Sequence, residues 1–114
     1  EAALDFLASL PGRRLAVLGD MLELGDYEEQ GHREVGLRCA EAVDLLITVG
    51  RRARWIAQGA VEAGLPPARV HPLVNCSQAL ALLRQVLAPN DVVLIKGSRG
   101  MAMEAIVQAL LEQG

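Results

Sequence analysis

Four short runs of almost continuously apolar residues constrain the fold of this 114-residue chain more than any other feature. The runs cover residues 15–18, 45–49, 70–74 and 92–95. Apolar residues follow one another in these runs instead of alternating with polar ones, which is typical of strands covered on both faces. We therefore expect a parallel sheet between two layers of helices.

Helical patterns fill the intervals between the runs, and one more opens the chain, where Leu4 and Leu7 share a helical spacing. The later patterns cover approximately residues 26–43, 52–63, 77–87 and 101–111. One helix between successive strands suits parallel crossovers and is too long a connection for a hairpin. The sequence thus predicts a three-layer, doubly wound, Rossmann-like α/β domain with a mainly parallel sheet of at least four strands.

Capping residues mark several of the predicted helix ends. Asp26 and Glu29 have the spacing of a reciprocal cap at the start of the second helix. Gly64 is the expected stop of the third helix. Asn75 is the expected N-cap of the fourth helix, with Gln78 three residues later.

Composition and charge exclude several classes of protein. The composition, with 52% hydrophobic and only 3% aromatic residues, predicts an aliphatic core. The length of the chain predicts a single domain over residues 1–114. The net charge of -3 gives no general attraction to nucleic acid or anionic lipid, so an anion site would have to be local. Cys39 and Cys76 form no metal-binding or disulfide pattern, so we expect a reducing compartment and no resident metal.

We expect a cytoplasmic protein that is neither inserted in a membrane nor exported. No apolar run approaches the ~18 residues that span a bilayer, and the first residues lack the pattern of a signal peptide. Glu1 begins the sequence without a methionine, and a helical pattern is under way almost at once. We interpret the sequence as a piece of a longer protein.

The residues that follow the four predicted strands should meet at one edge of the sheet, where open parallel sheets bind their ligands. These residues are Gly19, Asp20 and Met21 after the first strand, Gly50, Arg51 and Arg52 after the second, Asn75 after the third, and residues 96–100 after the fourth. Positive charge from Lys96, Arg99 and Arg51, with the N–H groups at the start of the last helix, favours an anion. The predicted ligand carries a carboxylate or phosphate group.

Residues 96–100 give the sharpest hypothesis for a binding site. Gly97 and Gly100 allow the backbone to approach a ligand closely, and Ser98 and Arg99 offer a hydroxyl group and a two-pronged donor for a carboxylate. The same residues also fit a plain strand-to-helix turn whose charges point into solvent.

Asp20 and its neighbours have two interpretations each. Asp20, followed by Met21, is placed to hold a substrate amine or a metal-bound water, or to cap a helix. Glu23 and His32 are secondary candidates, although a lone histidine on a helix is more often structural than catalytic. Asn75 is a further secondary candidate for ligand binding.

Several catalytic signatures are absent from the sequence. It contains no phosphate loop of the G-x-x-x-x-G-K-[ST] type, no G-x-G-x-x-G turn, no H-E-x-x-H zinc motif and no G-x-S-x-G nucleophile turn. We therefore predict no catalytic residue in this chain and expect it to be inactive by itself.

Several motifs occur in the order in which a known enzyme family carries them. They are residues 16–21 (AVLGDM), 23–25 (ELG), His32, 35–36 (VG), 49–50 (VG), 96–99 (KGSR) and 103–104 (ME). In this order they resemble the carboxyl-terminal, third domain of the Mur ligases across nearly the whole chain. The GDM-x-ELG and KGSR motifs are the most specific of them.

The resemblance is strongest to the family member that joins D-Ala-D-Ala to UDP-MurNAc-tripeptide. It implies a full-length ligase with an amino-terminal UDP-binding domain and a central ATPase domain that binds ATP and Mg²⁺, with no cofactor expected on this chain itself. The third domain would close over the central domain and position the dipeptide. By this resemblance, Asp20, Lys96, Ser98 and Arg99 face the dipeptide.

Two departures and two alternatives accompany the resemblance. Diaminopimelate-adding relatives carry Asp-Asn-Pro-Arg where residues 50–53 of this chain are Gly-Arg-Arg-Ala. The nucleotide-contacting Asn-x-Asn-Pro segment of the family would precede Glu1, so we expect no ATP contacts from this chain. The alternatives are a freestanding module that binds phosphate or nucleotide and regulates a partner, and an interaction domain without a ligand at this edge.

Overall fold

The computed structural model describes residues 2–22, 24–97 and 103–112. Its strands are β1 (Arg14–Gly19), β2 (Leu45–Val49), β3 (Val70–Leu73) and β4 (Val92–Lys96). Its helices are α1 (Ala2–Ala8), α2 (Glu28–Ala42), α3 (Arg54–Glu62), α4 (Cys76–Val86) and α5 (Glu104–Glu112), with 3-10 turns at Gly25–Tyr27 and Pro67–Arg69. The strands form one parallel sheet in the order β3-β2-β1-β4. The predicted α/β class and all four predicted strands are confirmed.

Successive side chains of β1 point into two separate hydrophobic layers. Leu15 and Val17 pack with residues of α4 and α5, whereas Ala16 and Leu18 pack with residues of α1, α2 and α3. Side chains alternate between the two faces of a strand, so apolar residues at consecutive positions require cover on both sides. The sheet therefore lies between two layers of helices, as the apolar runs predict.

The two edge strands, β3 and β4, are less buried than the sequence predicts, since we expect all four strands to be covered on both faces. In β3 the side chain of Pro72 is exposed, and residues 92–95 of β4 are only half-buried. The expectation of complete cover is correct for β1 and β2 and wrong for β3 and β4. In the described part of the chain, β3 and β4 each have a neighbouring strand on one side only, and the length of an apolar run does not distinguish an edge strand from a central one.

Two of the three predicted helix ends are confirmed. Gly64, at φ 114°, ends α3, where its N–H donates to the Val61 carbonyl while Leu65 N–H donates to the Ala60 carbonyl, as in a Schellman motif. The Asn75 side chain caps α4 by accepting a hydrogen bond from the Gln78 N–H at 3.0 Å.

The predicted Asp26 and Glu29 cap is wrong. The chain first forms a 3-10 turn over Gly25–Tyr27, and α2 begins after Tyr27 without a side-chain cap. Asp26 therefore lies inside the turn instead of at the N-cap position of α2, which Tyr27 occupies. For the last helix, the predicted first residues, 101 and 102, lie outside the described residues.

Helices α2 and α3 pack with their backbones in direct contact. A Cβ atom at Gly36 would lie 2.1 Å from the Ile56 carbonyl oxygen, and one at Gly59 would lie 2.4 Å from the Arg33 carbonyl oxygen. Only glycine permits this approach, because any side chain would overlap backbone atoms that cannot move aside. The contact fixes α2 and α3 relative to each other near the middle of each helix.

At the opposite edge, Arg13 and Asp91 join the starts of β1 and β4. The Asp91 carboxylate accepts hydrogen bonds from Arg13 Nε at 3.1 Å and Nη2 at 2.6 Å, and a third from the Ala88 N–H at 2.8 Å. The hydrogen bonds from Arg13, followed by that from Ala88, hold the pKa of Asp91 below its usual range. A lowered carboxyl pKa means that the folded state favours the ionised form.

This ion pair should make stability depend on pH. Because the Asp91 pKa is lower in the folded than in the unfolded chain, its stabilising effect is complete above the ordinary aspartate pKa of about 4 and is lost as the pH falls through the folded value. Thermal unfolding of the native chain and Asp91→Asn should differ most near neutral pH, and the difference should shrink below about pH 4. A difference that is constant with pH would contradict this role.

Candidate functional site

The carboxyl ends of the four strands meet at one edge, which we call the rim (residues 19–22, 50–53, 74–75 and 96–97). The chain leaves β1 toward β2 and β3 on one side and later adds β4 on the other, so the point where the strand order reverses lies between β1 and β4. Leu18 of β1 is in register with Lys96 of β4. Open α/β sheets bind their ligands outside such a reversal point.

The backbones at this reversal point lie close together. A Cβ atom at Gly97 would lie 2.6 Å from Cγ of Met103 and 3.4 Å from Cα of Gly19. Gly97 therefore occupies a space with no room for a side chain, between the end of β1 and the start of α5. Lys96, directly before it, is exposed at the end of β4.

Asp20 turns its carboxylate toward the start of α3. Only 7% of the residue is exposed, and its Oδ1 accepts a hydrogen bond from the Ala53 N–H at 2.7 Å. Gly50 has φ 110°, and a Cβ atom there would lie 2.5 Å from Asp20 Oδ1. Asp20 thus holds the residue that precedes α3, through a contact between distant segments and not as the cap of a neighbouring helix.

Arg52 connects Asp20 to the start of α2. Its Nη1 lies 3.6 Å from Asp20 Oδ2, and its Nε lies 2.5 Å from Glu28 Oε1. One guanidinium group therefore bridges carboxylates from two separate segments. This bridge holds a positive charge at the rim in a defined place.

His32 is completely buried beneath the rim and uses both of its ring nitrogens. Its Nε2 accepts a hydrogen bond from the Met21 N–H at 3.0 Å, and Nδ1 lies 2.6 Å from the Glu28 carbonyl oxygen. A carbonyl oxygen only accepts and an amide N–H only donates, so Nδ1 carries the hydrogen and the ring is neutral. The ring makes a T-shaped contact with that of Trp55, with the ring centres 5.8 Å apart.

A cleft of about 650 Å³ opens beside these contacts, which we call the arginine cleft. It is lined by Glu28, Arg51, Arg52, Arg54, Trp55 and Gln58. A smaller cleft of about 230 Å³ shares Arg51 and Arg54 and reaches the ends of β2 and β3. Arg52 is paired with Glu28 and Asp20, so the positive charges of Arg51 and Arg54 make this surface suitable for an anion.

Arg54 and Gln58 are absent from the predicted site residues. The signal that would have found them is the spacing of Arg51, Arg54, Trp55 and Gln58, which recur at three, four and seven residues, as on one face of a helix. Of these four residues only Arg51 lies in the segment directly after a strand, so a site predicted from those segments alone omits the other three.

The remaining predicted residues divide into two groups. Asn75 lies at the rim, but its side chain caps α4 through the Gln78 N–H. Glu23, Ser98 and Arg99 lie outside the described residues, as does Gly100, and their roles stay predictions. The structure therefore brings Asp20, Met21, Arg51, Lys96 and Gly97 to one edge of the sheet.

Cys76 lies near the rim with its thiol beside Met103, the two sulfur atoms being 3.6 Å apart. Burial, and then the negative charge of Glu104, raise the pKa of the Cys76 thiol. The thiol form is thereby favoured over the nucleophilic thiolate.

Neither a metal site nor a membrane span occurs among the described residues. Within residues 2–22, 24–97 and 103–112, no group of three or more His, Cys, Asp or Glu side chains is arranged to hold a metal ion. The buried carboxylate of Asp20 is engaged by Ala53 and Arg52, so it does not fit the role of a metal ligand. In the same ranges no helix is long and apolar enough to cross a membrane.

Comparison with known families decides the ancestry of the chain. Residues 1–99 match the family described as Mur ligase, glutamate ligase domain. The chain belongs to the Mur ligase family. Similar proteins include the UDP-N-acetylmuramoyl-tripeptide:D-alanyl-D-alanine ligases of Bacillus subtilis (36% identical, 98% of this chain and 25% of the relative) and Escherichia coli (38% identical, 99% and 24%).

Solved structures agree with these relatives. A crystal structure of MurF from Acinetobacter baumannii superposes with a TM-score of 0.80 at 33% identity, covering 97% of this chain and 25% of that one. The Mur ligase resemblance and the Rossmann-like fold are thus confirmed. The chain spans about a quarter of the length of these relatives. The relatives are enzymes of the ligase class. The matches favour a ligase domain over a freestanding regulatory module.

The contacts of Asp20 can be tested by their effect on stability. Asp20→Ala is expected to lower the free energy of unfolding by roughly 1–3 kcal/mol, because the buried Ala53 N–H loses its acceptor. Asp20→Asn should cost less, since its amide oxygen can still accept from Ala53. Urea unfolding measures both, with Asp26→Ala at an exposed position as the control. A loss no larger for Asp20→Ala than for Asp26→Ala would contradict the role.

Proposed function

We propose that this chain is the carboxyl-terminal domain of an ATP-dependent ligase that adds D-Ala-D-Ala to UDP-MurNAc-tripeptide. The observation that carries the proposal is the match of nearly the whole chain to ligases of that name, together with the family match over residues 1–99. The length of those relatives leaves about three quarters of a full-length enzyme outside this chain. That remainder would hold the amino-terminal UDP-binding domain and the central ATPase domain.

The role of this chain in such an enzyme is to position a substrate. ATP with Mg²⁺, bound mainly by the central domain, supplies the activated acyl group. The residues of this chain bind the incoming dipeptide, present its amine and exclude water when the domain closes. The absence of a phosphate loop or nucleophile motif from the sequence supports this division of labour.

The rim and the arginine cleft together form the proposed dipeptide site. Arg51 and Lys96 supply positive charge for the dipeptide carboxylate, and Gly97 lets the backbone approach it. Ser98 and Arg99 extend the same site by resemblance to the family. Asp20 and Met21 belong to the site because they form the segment after β1, which their hydrogen bonds hold in place.

Compartment and partners follow from the same proposal. The enzyme would work in the bacterial cytoplasm, where ATP and the UDP-linked peptide are available. Its partners are the other domains of its own chain and the two substrates. The net charge of -3 gives no reason to add a nucleic acid.

The reaction itself can be measured with the full-length chain. Phosphate release from ATP should require both UDP-MurNAc-tripeptide and D-Ala-D-Ala, and the product should carry the dipeptide. Single D-glutamate or diaminopimelate in place of the dipeptide should give no product. Ligation of one of those amino acids instead, or nucleotide binding without any ligation, would contradict the proposal.

Arg51 is expected to act on dipeptide binding more than on turnover. In the full-length enzyme, Arg51→Ala should raise the KM for D-Ala-D-Ala about tenfold, the effect of losing ~1.4 kcal/mol from one charge-assisted hydrogen bond. The KM for ATP should stay within about twofold of its original value. Arg69→Ala, which removes an exposed arginine from the 3-10 turn before β3, is the matched control.

Arg99→Ala tests the neighbouring part of the site in the same assay. We expect a similar rise in the KM for D-Ala-D-Ala. If Arg51→Ala and Arg99→Ala both match Arg69→Ala, the dipeptide carboxylate binds elsewhere.

A further inference from the structure

Three segments that are distant in sequence meet beneath the rim through one polar network. The end of β1 contributes Asp20 and the Met21 N–H, the start of α3 contributes Arg52 and the Ala53 N–H, and the start of α2 contributes Glu28 and His32. Each segment contacts both of the others. A shift of one segment would therefore change the position of the other two.

His32 is the buried junction of this network. It is completely buried, whereas Glu28 and Arg52 are partly exposed. The Met21 N–H lies in a stretch without helix or strand, and the His32 side chain supplies its acceptor. Removing that acceptor would leave a part-buried donor unpaired and release the segment that carries Asp20.

A second contact leads from His32 to the arginine cleft. The imidazole makes a T-shaped contact with Trp55, and Trp55 itself lines the cleft with Arg51 and Arg54. His32 thus contacts the cleft directly through Trp55 and indirectly through Met21 and the segment that carries Asp20. Both ring nitrogens of His32 are engaged in these hydrogen bonds, so neither is available for proton transfer to a ligand.

We propose that His32 is a positioning residue for dipeptide binding, whose Nε2 fixes the Met21 amide and so holds Asp20, Arg52 and the start of α3 in place. The inference rests on the proposed function, because the surface that His32 supports is the proposed dipeptide site. It assigns to the acceptor atom Nε2 a larger effect on binding than to the donor atom Nδ1.

Two variants of the full-length enzyme separate these two atoms. In His32→Gln, the side-chain oxygen can reach the place of Nε2 and still accept from Met21. In His32→Asn, the shorter side chain can replace the Nδ1 donor toward the Glu28 carbonyl but does not reach Met21. Both variants change a buried residue, so thermal unfolding is measured beside the kinetics, and His71→Asn in β3 is the matched histidine control.

His32→Asn is expected to raise the KM for D-Ala-D-Ala about tenfold, the effect of one lost buried hydrogen bond, with the KM for ATP unchanged. His32→Gln should stay within about threefold of the original KM, even where the two variants lose similar thermal stability. Equal kinetic parameters for His32→Asn and His32→Gln would overturn the inference. An original enzyme that does not ligate D-Ala-D-Ala at all would instead overturn the proposed function.

A measurement on the unmodified enzyme decides the matter if His32→Asn does not fold. Coupling between two sites is reciprocal, so a segment that supports dipeptide binding must itself be stabilised by the dipeptide. Hydrogen exchange of the Met21 amide, followed at single-residue resolution, should slow at least about threefold with saturating D-Ala-D-Ala. The amide of His71 should not change. Unchanged exchange at Met21 would overturn the inference.

Discussion

The burial of β1 on both faces and along both edges is the constraint on which the rest of the structure depends. Leu15 and Val17 fill one helix layer, Ala16 and Leu18 fill the other, and β2 and β4 supply the hydrogen bonds on either side. The carboxyl end of this strand lies at the edge of the sheet, and Asp20 follows directly from it. The position of the rim is therefore set by the core before any polar contact is made.

The polar contacts at the rim are consequences of that enclosure. Asp20 leaves β1 in a place where only 7% of it reaches solvent, so its charge needs a partner, and the Ala53 N–H and Arg52 supply it. Arg52 in turn brings Glu28 close, and the Glu28 carbonyl fixes the ring of His32. A charge forced inward by the core thus organises residues that lie more than thirty positions apart in sequence.

Much of the fold could be predicted from the sequence because local chemistry and tertiary structure agree there. The apolar runs become strands, Gly64 stops α3 and Asn75 caps α4. The cap expected from Asp26 fails because a 3-10 turn that contains Asp26 comes before the helix. The incomplete cover of β3 and β4 is likewise invisible locally, since edge position is a property of the whole sheet.

The candidate site was less accessible to sequence reasoning. Which residues come after each strand is readable, and Asp20, Met21, Arg51, Lys96 and Gly97 do meet at one edge. The direction of a side chain is not readable, so the inward turn of Asp20 and the complete burial of His32 needed coordinates. Arg54 and Gln58 reach the cleft along a helix face, which becomes visible only when periodicity is traced past the end of the strand.

The contact between α2 and α3 through Gly36 and Gly59 has a mechanical consequence. Packed helices normally shift past each other by small adjustments of intervening side chains, but at Gly36 and Gly59 one backbone meets the other directly and leaves no side chain to adjust. We expect the two helices to move as one rigid unit, with the arginine cleft at the end of that unit. Selection of a ligand would then depend on where a domain movement places this unit, because the packed helix backbones do not change shape around the ligand.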